Sequence, residues 1–334
     1  MVKKIIAGVV VAFLLISCIV LSFCKQQTII IYTSTEDYTM EYLQECLDKE
    51  FPQYKVKVEY MSTSNIAAKI IAEGEISDCD IVFAEEYGYM EQMAEKGVLT
   101  NLTTLFDEQD YSAYTLEALN TQARDYLLPS YKMGGGIVLN TKRLKEEGIP
   151  EPTSYQDLLG AKFKGEVSMP SPKSSATGYM FYLSLINEWG EDTAVEYFDH
   201  LAKNVNAFTT SGSKPVNSLV LEEVSVGLGM ISQAAEKITA GNTDLKIIFF
   251  EEGAPFNMCG NGIVKGKEKR KGVVEIMEYL HQVFTPSICE KFYPETILQG
   301  KTFELENFPT GINYADMTGN NLARKEELLK RWKH

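Results

Sequence analysis

The sequence predicts an α/β protein with doubly wound sheets and enough length for two compact lobes. Between residues 28 and 80, strand and helix patterns alternate, which is the order of a parallel sheet with right-handed crossovers. Residues 28–32 form a continuous β-branched run of the kind that is buried on both faces of such a sheet. Roughly 310 residues follow the N-terminal segment, which is enough for two lobes. A ligand site is therefore expected beyond the carboxyl ends of the strands.

The N-terminal segment has the pattern of an export signal. Two lysines precede a short apolar run, and residues 15–18 (LISC) resemble a bacterial lipobox, in which Cys18 becomes the lipidated first residue. Cys24, at the onset of polar sequence, is the alternative lipidation site, and an uncleaved anchor over residues 5–23 is a third interpretation. Each version predicts that residues 1–24 are a leader and membrane tether and that the remaining chain lies outside the cytoplasm.

Charge and cysteine spacing exclude several partners. The formal net charge of −14 repels the phosphates of nucleic acid, so nucleic acid is not an expected partner. Cys46, Cys79, Cys259 and Cys289 form no CxxC pair and lie close to no histidine, which argues against zinc and against a disulfide framework. A disulfide between the first two or between the last two stays open, with buried free thiols favoured. The sequence therefore predicts no metal and no cofactor.

The first lobe begins with three strands and two helices. After the first strand, apolar residues at helical spacing predict a helix that ends before Pro52. Residues 55–60 alternate like a more exposed strand, and residues 65–73 are helical until Gly74 ends the helix. A third, short strand is predicted at 80–83.

Polar side chains follow these three strands at their carboxyl ends. Because such ends meet at one edge of a parallel sheet, the three clusters predict a single site. Each hydroxyl could instead cap the helix that follows it. The two adjacent carboxylates at 85 and 86 come with no nucleophile, so they do not indicate acid–base catalysis. The candidate ligand-binding residues of this lobe are Ser34, Thr35, Glu36, Ser62, Thr63 and Glu85.

The chain changes character at three consecutive glycines, residues 134–136. Their spacing is not that of a phosphate-binding loop, and a connection that crosses between lobes fits better. A strand resumes at 137–139, and a helix over 140–148 ends at a glycine.

The most informative stretch is residues 168–179 (SMPSPKSSATGY), which leads into an apolar helix. Two prolines hold its approach extended, and hydroxyls at Ser174, Ser175 and Thr177 lie where the helix begins. A helix N-terminus offers unpaired N–H groups and about half a positive charge, so it can hold a phosphate or carboxylate without a buried lysine. These hydroxyls predict an anion-binding site, with a plain helix cap as the alternative.

The order of several motifs resembles one family. The motifs are YTS at the first strand end, VLNTKRL and GIPEPTSYQDLL after the glycines, FKGEVSMPSP and SSATGY at the predicted anion site, TTSGS, and GNGIVKGKEKRKGVVEIMEYL. In this order they resemble the extracellular solute-binding proteins of ABC importers, and most closely the branch that binds ferric iron, phosphonates or sugar phosphates. The resemblance implies the type II periplasmic-binding-protein fold, with two lobes joined by two crossover strands. The implied limits are 25–133 with 256–334 for lobe I and 134–255 for lobe II.

The rest of the chain completes both lobes. Residues 245–250 predict the last strand of lobe II, 251–255 the return crossing, and 257–264 a strand that rejoins lobe I. The amphipathic helix at 272–284 carries its apolar residues on one face, as core packing requires.

The resemblance also implies which residues contact the solute. The ligand contacts that the family makes from its first lobe correspond to Ser34, Thr35 and Glu36, at the end of the first strand. Its anion loop falls on residues 174–178, which adds Gly178 to the hydroxyl candidates. The loop before the next helix falls on residues 210–213, which adds Ser211 and Ser213.

A departure from the family pattern bears on the ligand. Where iron-binding members carry two adjacent tyrosines, this chain has Ala234 and Ala235. Ferric iron is therefore disfavoured, because a hard cation needs oxygen ligands. An anionic organic solute is expected instead, with Ser232 and Gln233 as hydrogen-bond donors.

The resemblance implies that a monomeric lipoprotein captures a small anionic solute, a phosphate ester or phosphonate, and delivers it to an ABC permease. Ferric-iron binding and ligand sensing without transport stay open as alternatives, and a hydrolase on the same fold is the most remote one. A hydrolase needs a nucleophile with an adjacent base or a metal cluster, and the sequence indicates neither. No enzymatic activity is therefore expected.

Overall fold

The computed structural model describes residues 26–295 and 297–334. The predicted leader, with Cys18 and Cys24, lies outside these residues. Within them, no helix is long and apolar enough to span a membrane. The strands are β1 Thr28–Thr33, β2 Lys55–Tyr60, β3 Ile81–Glu86, β4 Leu128–Asn140, β5 Val167–Pro170, β6 Val205–Thr209, β7 Val226–Met230, β8 Leu245–Ile248 and β9 Phe256–Ile263. The α-helices are α1 Asp37–Glu50, α2 Thr63–Glu73, α3 Tyr87–Glu95, α4 Glu108–Tyr111, α5 Thr141–Glu146, α6 Ala176–Trp189, α7 Glu191–Leu201, α8 Lys214–Val220, α9 Ile231–Thr239, α10 Val273–Tyr279, α11 Thr285–Lys291 and α12 Leu322–Leu329.

Lobe I is built on a sheet with the strand order β2-β1-β3-β9-β4. Strand β1 lies parallel to β2 and β3, whereas β9 runs antiparallel to β3 and β4. In the central strand β1, Ile29 and Ile31 are fully buried, as its β-branched sequence predicts. Helix α1 packs on β2, and α10 packs on β9. The first three strands therefore form the predicted parallel set, which is closed by a returning antiparallel strand.

Lobe II is built on a second sheet that contains β8, the second half of β4, β7, β5 and β6. Strand β4 pairs antiparallel with β7 and β8, and β5 pairs parallel with β6 and β7. Helix α6 is buried along its first three turns and packs on α7 and on the sheet. Two mixed sheets flanked by helices confirm the predicted α/β class with two doubly wound lobes.

The two crossings between the lobes lie side by side. Strand β4 pairs with β9 of lobe I as far as Gly134, opposite Phe256, and with β7 of lobe II from Gly135, opposite Met230. The backbone N–H of Gly135 donates to the carbonyl oxygen of Pro255 at 2.7 Å. A Cβ atom on Gly135 would stand 3.0 Å from Pro255 Cγ, so the close approach of the crossings favours glycine here. The two crossover strands of the predicted fold therefore meet at the glycine run.

Two predicted elements have different limits in the structure. The strand predicted at 80–83 extends through Glu86, because a bulge at Ala84, with a positive φ of 55°, lets it continue beside β9. The helix predicted at 272–284 is α10 followed by a π-helical turn, Leu280–Phe284. Helix α11 follows directly, with Pro286 in its first turn, where a missing N–H removes no intrahelical bond.

The C-terminal segment reaches lobe II, although the predicted limits place all of residues 256–334 in lobe I. Arg331 pairs with Glu191 of α7 at 2.6 Å. Trp332 packs, at ring-centroid distances of 5.1 to 5.5 Å, on three rings of lobe II, Tyr182, Phe198 and Phe208. These contacts join residues more than a hundred positions apart, so no local pattern predicts them. The end of the chain lies across both lobes.

Glu295 is a carboxyl group beside the first crossing. Its Oε1 atom is buried without a hydrogen-bond partner in the described chain and lies 2.8 Å from where a Cβ atom of Gly134 would stand. Burial raises the pKa of Glu295 from its ordinary 4.5 to about 8, against the opposing charge of Lys132. The folded state therefore binds this proton more tightly than the unfolded chain does. The resulting stabilisation is complete below about pH 4.5 and is lost as the pH rises through about 8.

The substitution Glu295→Gln is expected to flatten the pH dependence of stability. Between about pH 5 and pH 9, the free energy of unfolding of the wild type should fall by at least about 1.4 kcal/mol more than that of the variant, as a shift of one pKa unit requires. Urea unfolding at several pH values measures this. The exposed Glu304 supplies a control, because Glu304→Gln should keep the wild-type slope. Equal slopes in all three proteins would contradict the assignment.

Candidate functional site

A cleft lies between the lobes, at the carboxyl ends of the strands. Eight of the fourteen predicted ligand-binding residues line it. From lobe I these are Ser34, Glu36, Ser62 and Thr63, and from lobe II they are Ser174, Ser175, Thr177 and Ser213. Residues that follow β1, β2, β5 and β6, far apart in the sequence, thus meet at one place.

The helices that begin at the cleft lack side-chain caps. A helix N-terminus leaves N–H groups unpaired unless a side chain accepts from them. Away from the cleft, Asn140 and Asn321 provide such caps for α5 and α12. Among the described residues, the N-cap residues that line the cleft make no side-chain cap; they are Glu36, Ser62, Glu86, Ser175, Ser213 and Met230. The hydroxyls among them are therefore not occupied as helix caps.

The loops before α6 and α8 form one polar wall on lobe II. A Cβ atom on Gly212 would stand 2.5 Å from Thr177 Oγ1 and 3.2 Å from Ser175 Oγ, so the second loop lies directly against both hydroxyls. Helix α6 starts after Ser175 and adds its N–H groups and the positive end of its dipole. This wall can donate several hydrogen bonds to an anion without a cationic side chain.

Hydrogen bonds between the lobes close the rim of the cleft. Tyr60 OH donates to Ser211 Oγ at 3.1 Å, and Thr63 Oγ1 donates to the carbonyl oxygen of Ser174 at 3.3 Å. Ser211, a predicted ligand residue, therefore lies at the rim and not in the lining. Its hydroxyl oxygen is 2.9 Å from Ser213 Oγ. The lobes touch around the site, which is the closed arrangement of a clamp.

Glu36 is held in place by neighbouring hydroxyl groups. Tyr293 OH donates to Glu36 Oε2 at 2.5 Å, and Thr35 Oγ1 donates to the same oxygen at 3.2 Å. Tyr293 stacks on Tyr131 with a centroid distance of 3.8 Å. Burial raises the pKa of Glu36, and the hydrogen bond from Tyr293 opposes that rise. Thr35, predicted to contact the ligand, is instead buried outside the lining and orients Glu36.

Glu85 and Glu86 are adjacent carboxylates, and the structure places in the cleft lining Glu86, which is not among the predicted ligand residues. Glu85, the predicted ligand residue, is fully buried, and neither of its carboxyl oxygens has a partner among the described residues. Burial raises the pKa of Glu85 well above its usual range, and the charge of Glu86 adds to the rise. Glu86 lines the cleft instead. The bulge at Ala84 accounts for the difference, because an inserted residue interrupts the alternation of side chains along a strand.

Three other predicted residues lie behind the lining and support it. A Cβ atom on Gly178 would stand 2.3 Å from the carbonyl oxygen of Pro170, so the glycine lets α6 begin directly against the end of β5. Gln233 Nε2 donates to the carbonyl oxygen of Ser213 at 3.1 Å and holds that loop. Ser232 is buried on the same helix as Gln233, and its hydroxyl has no partner in the part of the chain described.

Several lining residues are absent from the predicted set. They are Tyr60, Ala84, Glu86, Tyr131, Met133, Ala176, Thr210, Gly212, Met230 and Cys259. Tyr60 ends the strand before a predicted polar cluster, so its position was a usable signal. A methionine or cysteine in a strand carries none, because cleft wall and core favour the same residue types. Among the described residues no lysine or arginine lines the cleft, and its charged side chains are Glu36 and Glu86.

The thiols and carboxylates do not form a metal centre. The cysteines of the described residues, Cys46, Cys79, Cys259 and Cys289, are free thiols, so neither disulfide that the sequence left open is formed. Within the described ranges, no group of three or more histidine, cysteine, aspartate or glutamate side chains is placed to hold a metal ion. The cleft offers hydrogen-bond donors on one wall and carboxylate acceptors on the other.

Comparison with known proteins gives both sequence and structural matches. The family described as bacterial extracellular solute-binding protein matches residues 79–304. A curated protein of Haemophilus influenzae, described as uncharacterized, is 27% identical over 218 residues, a match that covers 64% of this chain and 62% of that protein.

Solved structures are similar over almost the whole chain. AfuA of Actinobacillus pleuropneumoniae, a periplasmic binding protein with fructose 6-phosphate bound, has a TM-score of 0.81 at 22% identity. The periplasmic binding protein P5PA has a TM-score of 0.80 at 21% identity, and both matches cover 92% of this chain and 98% of the other. The apo ferric ion-binding protein A of Pasteurella haemolytica has a TM-score of 0.70 at 16% identity over 91% of this chain and 96% of its own. These likenesses show the two-lobed fold.

Proposed function

The chain belongs to the bacterial extracellular solute-binding proteins, and from this membership we propose that it captures a small anionic solute, a phosphate ester or phosphonate, between its lobes. In the proposed role the protein is a non-enzymatic component of an ABC importer and delivers its solute to a membrane permease. The proposal includes lobes divided at residues 134 and 256, a monomeric state, and a lipid anchor at Cys18, with Cys24 as the alternative.

The observation that carries the proposal is the group of uncapped helix N-termini at the cleft. The start of α6, with the Ser175 and Thr177 hydroxyls and the loop at Gly212 packed against them, is the strongest of these. Its unpaired N–H groups and helix dipole favour negative charge, and its hydroxyls can donate to the same oxygens. A phosphate or phosphonate group supplies three acceptor oxygens for such a wall.

The opposite wall favours a solute that also carries hydroxyl groups. Glu36 and Glu86 accept hydrogen bonds and repel a bare anion, so the non-anionic end of the solute should face them. AfuA was solved with fructose 6-phosphate, which has a phosphate at one end and hydroxyls along the rest. A polyhydroxy phosphate ester of this type matches both walls.

Ferric iron and neutral sugars are the competing ligands. Ala234 and Ala235, at the positions of the iron-binding tyrosine pair in the family resemblance, are fully buried in α9 and offer no oxygen ligand. A neutral sugar would leave the uncapped start of α6 without an anion to neutralise its dipole. Both belong in the same binding screen.

The substitutions Ser175→Ala and Thr177→Ala should each weaken binding of a phosphate ester by about ten- to hundredfold. Each removes one hydrogen bond to a charged group, which contributes roughly 1.5–3 kcal/mol. The N–H groups of α6 remain, so binding should fall and not vanish. Thermal shift and titration calorimetry with fructose 6-phosphate, methylphosphonate, ferric citrate and glucose measure this, because a bound ligand raises the melting temperature.

A matched control lies on the same helix. Ser184 of α6 is buried away from the cleft, and its hydroxyl donates to the carbonyl oxygen of Phe181 at 3.0 Å. The variant Ser184→Ala should therefore keep wild-type affinity. If only glucose or ferric citrate shifts the wild type, or if the Ser175 and Thr177 variants bind as well as Ser184→Ala does, the proposal is wrong.

A further inference from the structure

A buried lysine lies directly behind one of the carboxylates of the cleft. Lys325, on α12, is 2% exposed, and its Nζ donates to Glu86 Oε2 at 2.7 Å. The ammonium group lies between two aromatic rings, 3.8 Å from the centroid of Tyr89 and 4.5 Å from that of Tyr179. A charge buried this deeply is unfavourable unless it is paired, so Glu86 and Lys325 stabilise each other as ions.

The two oxygens of Glu86 have different environments. Oε2 accepts from Lys325, whereas Oε1 is buried and has no partner among residues 26–295 and 297–334. Glu86 is also the N-cap of α3 and makes no cap hydrogen bond there. Glu86 is a lining residue of the cleft whose side chain is fully buried, and both its oxygens lie over the start of α3, 3.1 and 3.2 Å from where a Cβ atom of Gly88 would stand. An unpaired acceptor at this position can take a hydrogen bond from a bound molecule.

Lys325 is delivered to Glu86 by a helix that is fastened to the other lobe. Arg324 Nη2 donates to Asn187 Oδ1 of α6 at 2.8 Å, and Tyr182 OH donates to the carbonyl oxygen of Leu328 at 3.3 Å. Glu86 itself ends strand β3 of lobe I. The same helix packs on α3 of lobe I, where the backbone N–H of Leu322 donates to Glu91 Oε2 at 3.3 Å. The ion pair therefore joins a lobe I carboxylate to a helix that contacts both lobes, and Tyr179 of lobe II forms one side of the lysine's enclosure.

We infer that Lys325 is a positioning residue for the solute: it holds Oε2 of Glu86 in place and leaves Oε1 free to accept a hydrogen bond from a ligand hydroxyl. The inference rests on the proposed function, because it requires a ligand with a hydroxyl group near lobe I. It assigns the discrimination between polyhydroxy esters and simple phosphates to the C-terminal helix, which does not itself line the cleft. Affinity for the phosphate group stays with the lobe II wall.

The test measures the affinity of the protein for two phosphate probes. Lys325→Met should weaken the binding of fructose 6-phosphate by about tenfold or more, because one charge-assisted hydrogen bond is lost. It should weaken the binding of methyl phosphate, which has no hydroxyl group, by less than about threefold. Lys330→Met is the control, because Lys330 is exposed at the end of the same helix. The double variant Glu86→Gln/Lys325→Met replaces the ion pair with neutral groups. It should show the same loss of preference if the single variant does not fold.

The comparison of the two probes separates positioning from a structural role. Both probes bring a phosphate group to the lobe II wall, so a general loosening of the fold would weaken the binding of both alike. Loss of positioning should weaken the binding of fructose 6-phosphate alone, because only that probe carries hydroxyl groups.

The outcomes distinguish the two proposals. If the wild type binds neither probe, the proposed function fails and this inference fails with it. If the wild type binds both but Lys325→Met weakens both equally, or weakens neither, the proposed function stands and the positioning role is wrong. Selective loss of fructose 6-phosphate binding supports it.

Discussion

Replacing Gly178 with alanine is expected to lower the affinity for a phosphate ester by more than about a hundredfold, because at least two hydrogen bonds of roughly 1.5–3 kcal/mol are displaced together. The new Cβ atom would stand 2.3 Å from the carbonyl oxygen of Pro170 and 2.7 Å from the carbonyl carbon of Ser171. Both are backbone atoms that cannot rotate away. Either the end of β5 or the start of α6 must move, and the Ser175 and Thr177 hydroxyls move with it.

The measurement is titration calorimetry with fructose 6-phosphate, together with urea unfolding. Stability should fall by about 1–3 kcal/mol, the usual range for a core made too crowded, so the variant should remain folded. Gly160→Ala is the control, because its Cβ atom would meet one backbone oxygen at 3.1 Å, far from the cleft lining. Wild-type affinity in a folded Gly178→Ala protein would show that the start of α6 does not hold the solute.

Replacing Trp332 with alanine is expected to reduce the free energy of unfolding by about 3–5 kcal/mol, the usual range for a buried aromatic residue. The ring is 3% exposed and packs among three aromatic side chains of lobe II. Its loss should free the chain end and leave a cavity against α7. Urea unfolding measures the change.

A control for this substitution is Leu221→Ala, which removes an apolar side chain that is exposed. Its effect should stay within about 0.5 kcal/mol. If Trp332→Ala were as stable as Leu221→Ala, the C-terminal segment would not be docked on lobe II in solution.

Local pattern was enough to predict the α/β class, and eight of the fourteen candidate residues that it helped to select line the cleft. The β-branched run of β1, the glycines at 134–136 and the hydroxyls around Ser175 each depend on neighbours within a few residues. Strand period, helix termination and turn chemistry act over that range. The strand-end rule then joined these segments, because it relates chain direction to position at the sheet edge.

Glu85 was predicted as a ligand residue, whereas Glu86 lines the cleft, and this difference shows what local sequence pattern cannot predict. Simple alternation cannot place either carboxylate once an inserted residue interrupts the strand, and the bulge at Ala84 puts an alanine at positive φ, where glycine or asparagine would have given a signal. Its cause lies in the pairing of β3 with β9, which is more than 170 residues away.

The C-terminal helix is the second feature that sequence reasoning could not assign. Its own pattern is that of a short amphipathic helix with an asparagine cap at Asn321. Nothing within it indicates that Lys325 meets a carboxylate 239 positions earlier. A lysine on such a helix is usually exposed to solvent, whereas the structure encloses Lys325 between two rings.

The docked chain end also gives the protein an internal optical reporter. The chain contains two tryptophans, Trp189 and Trp332, and both pack among aromatic side chains of lobe II. Indole emission shifts to longer wavelength when water reaches the ring. A Trp189→Phe protein would therefore carry a single emitter at the end of the chain, and its fluorescence would follow the docking of that end as the lobes open and close.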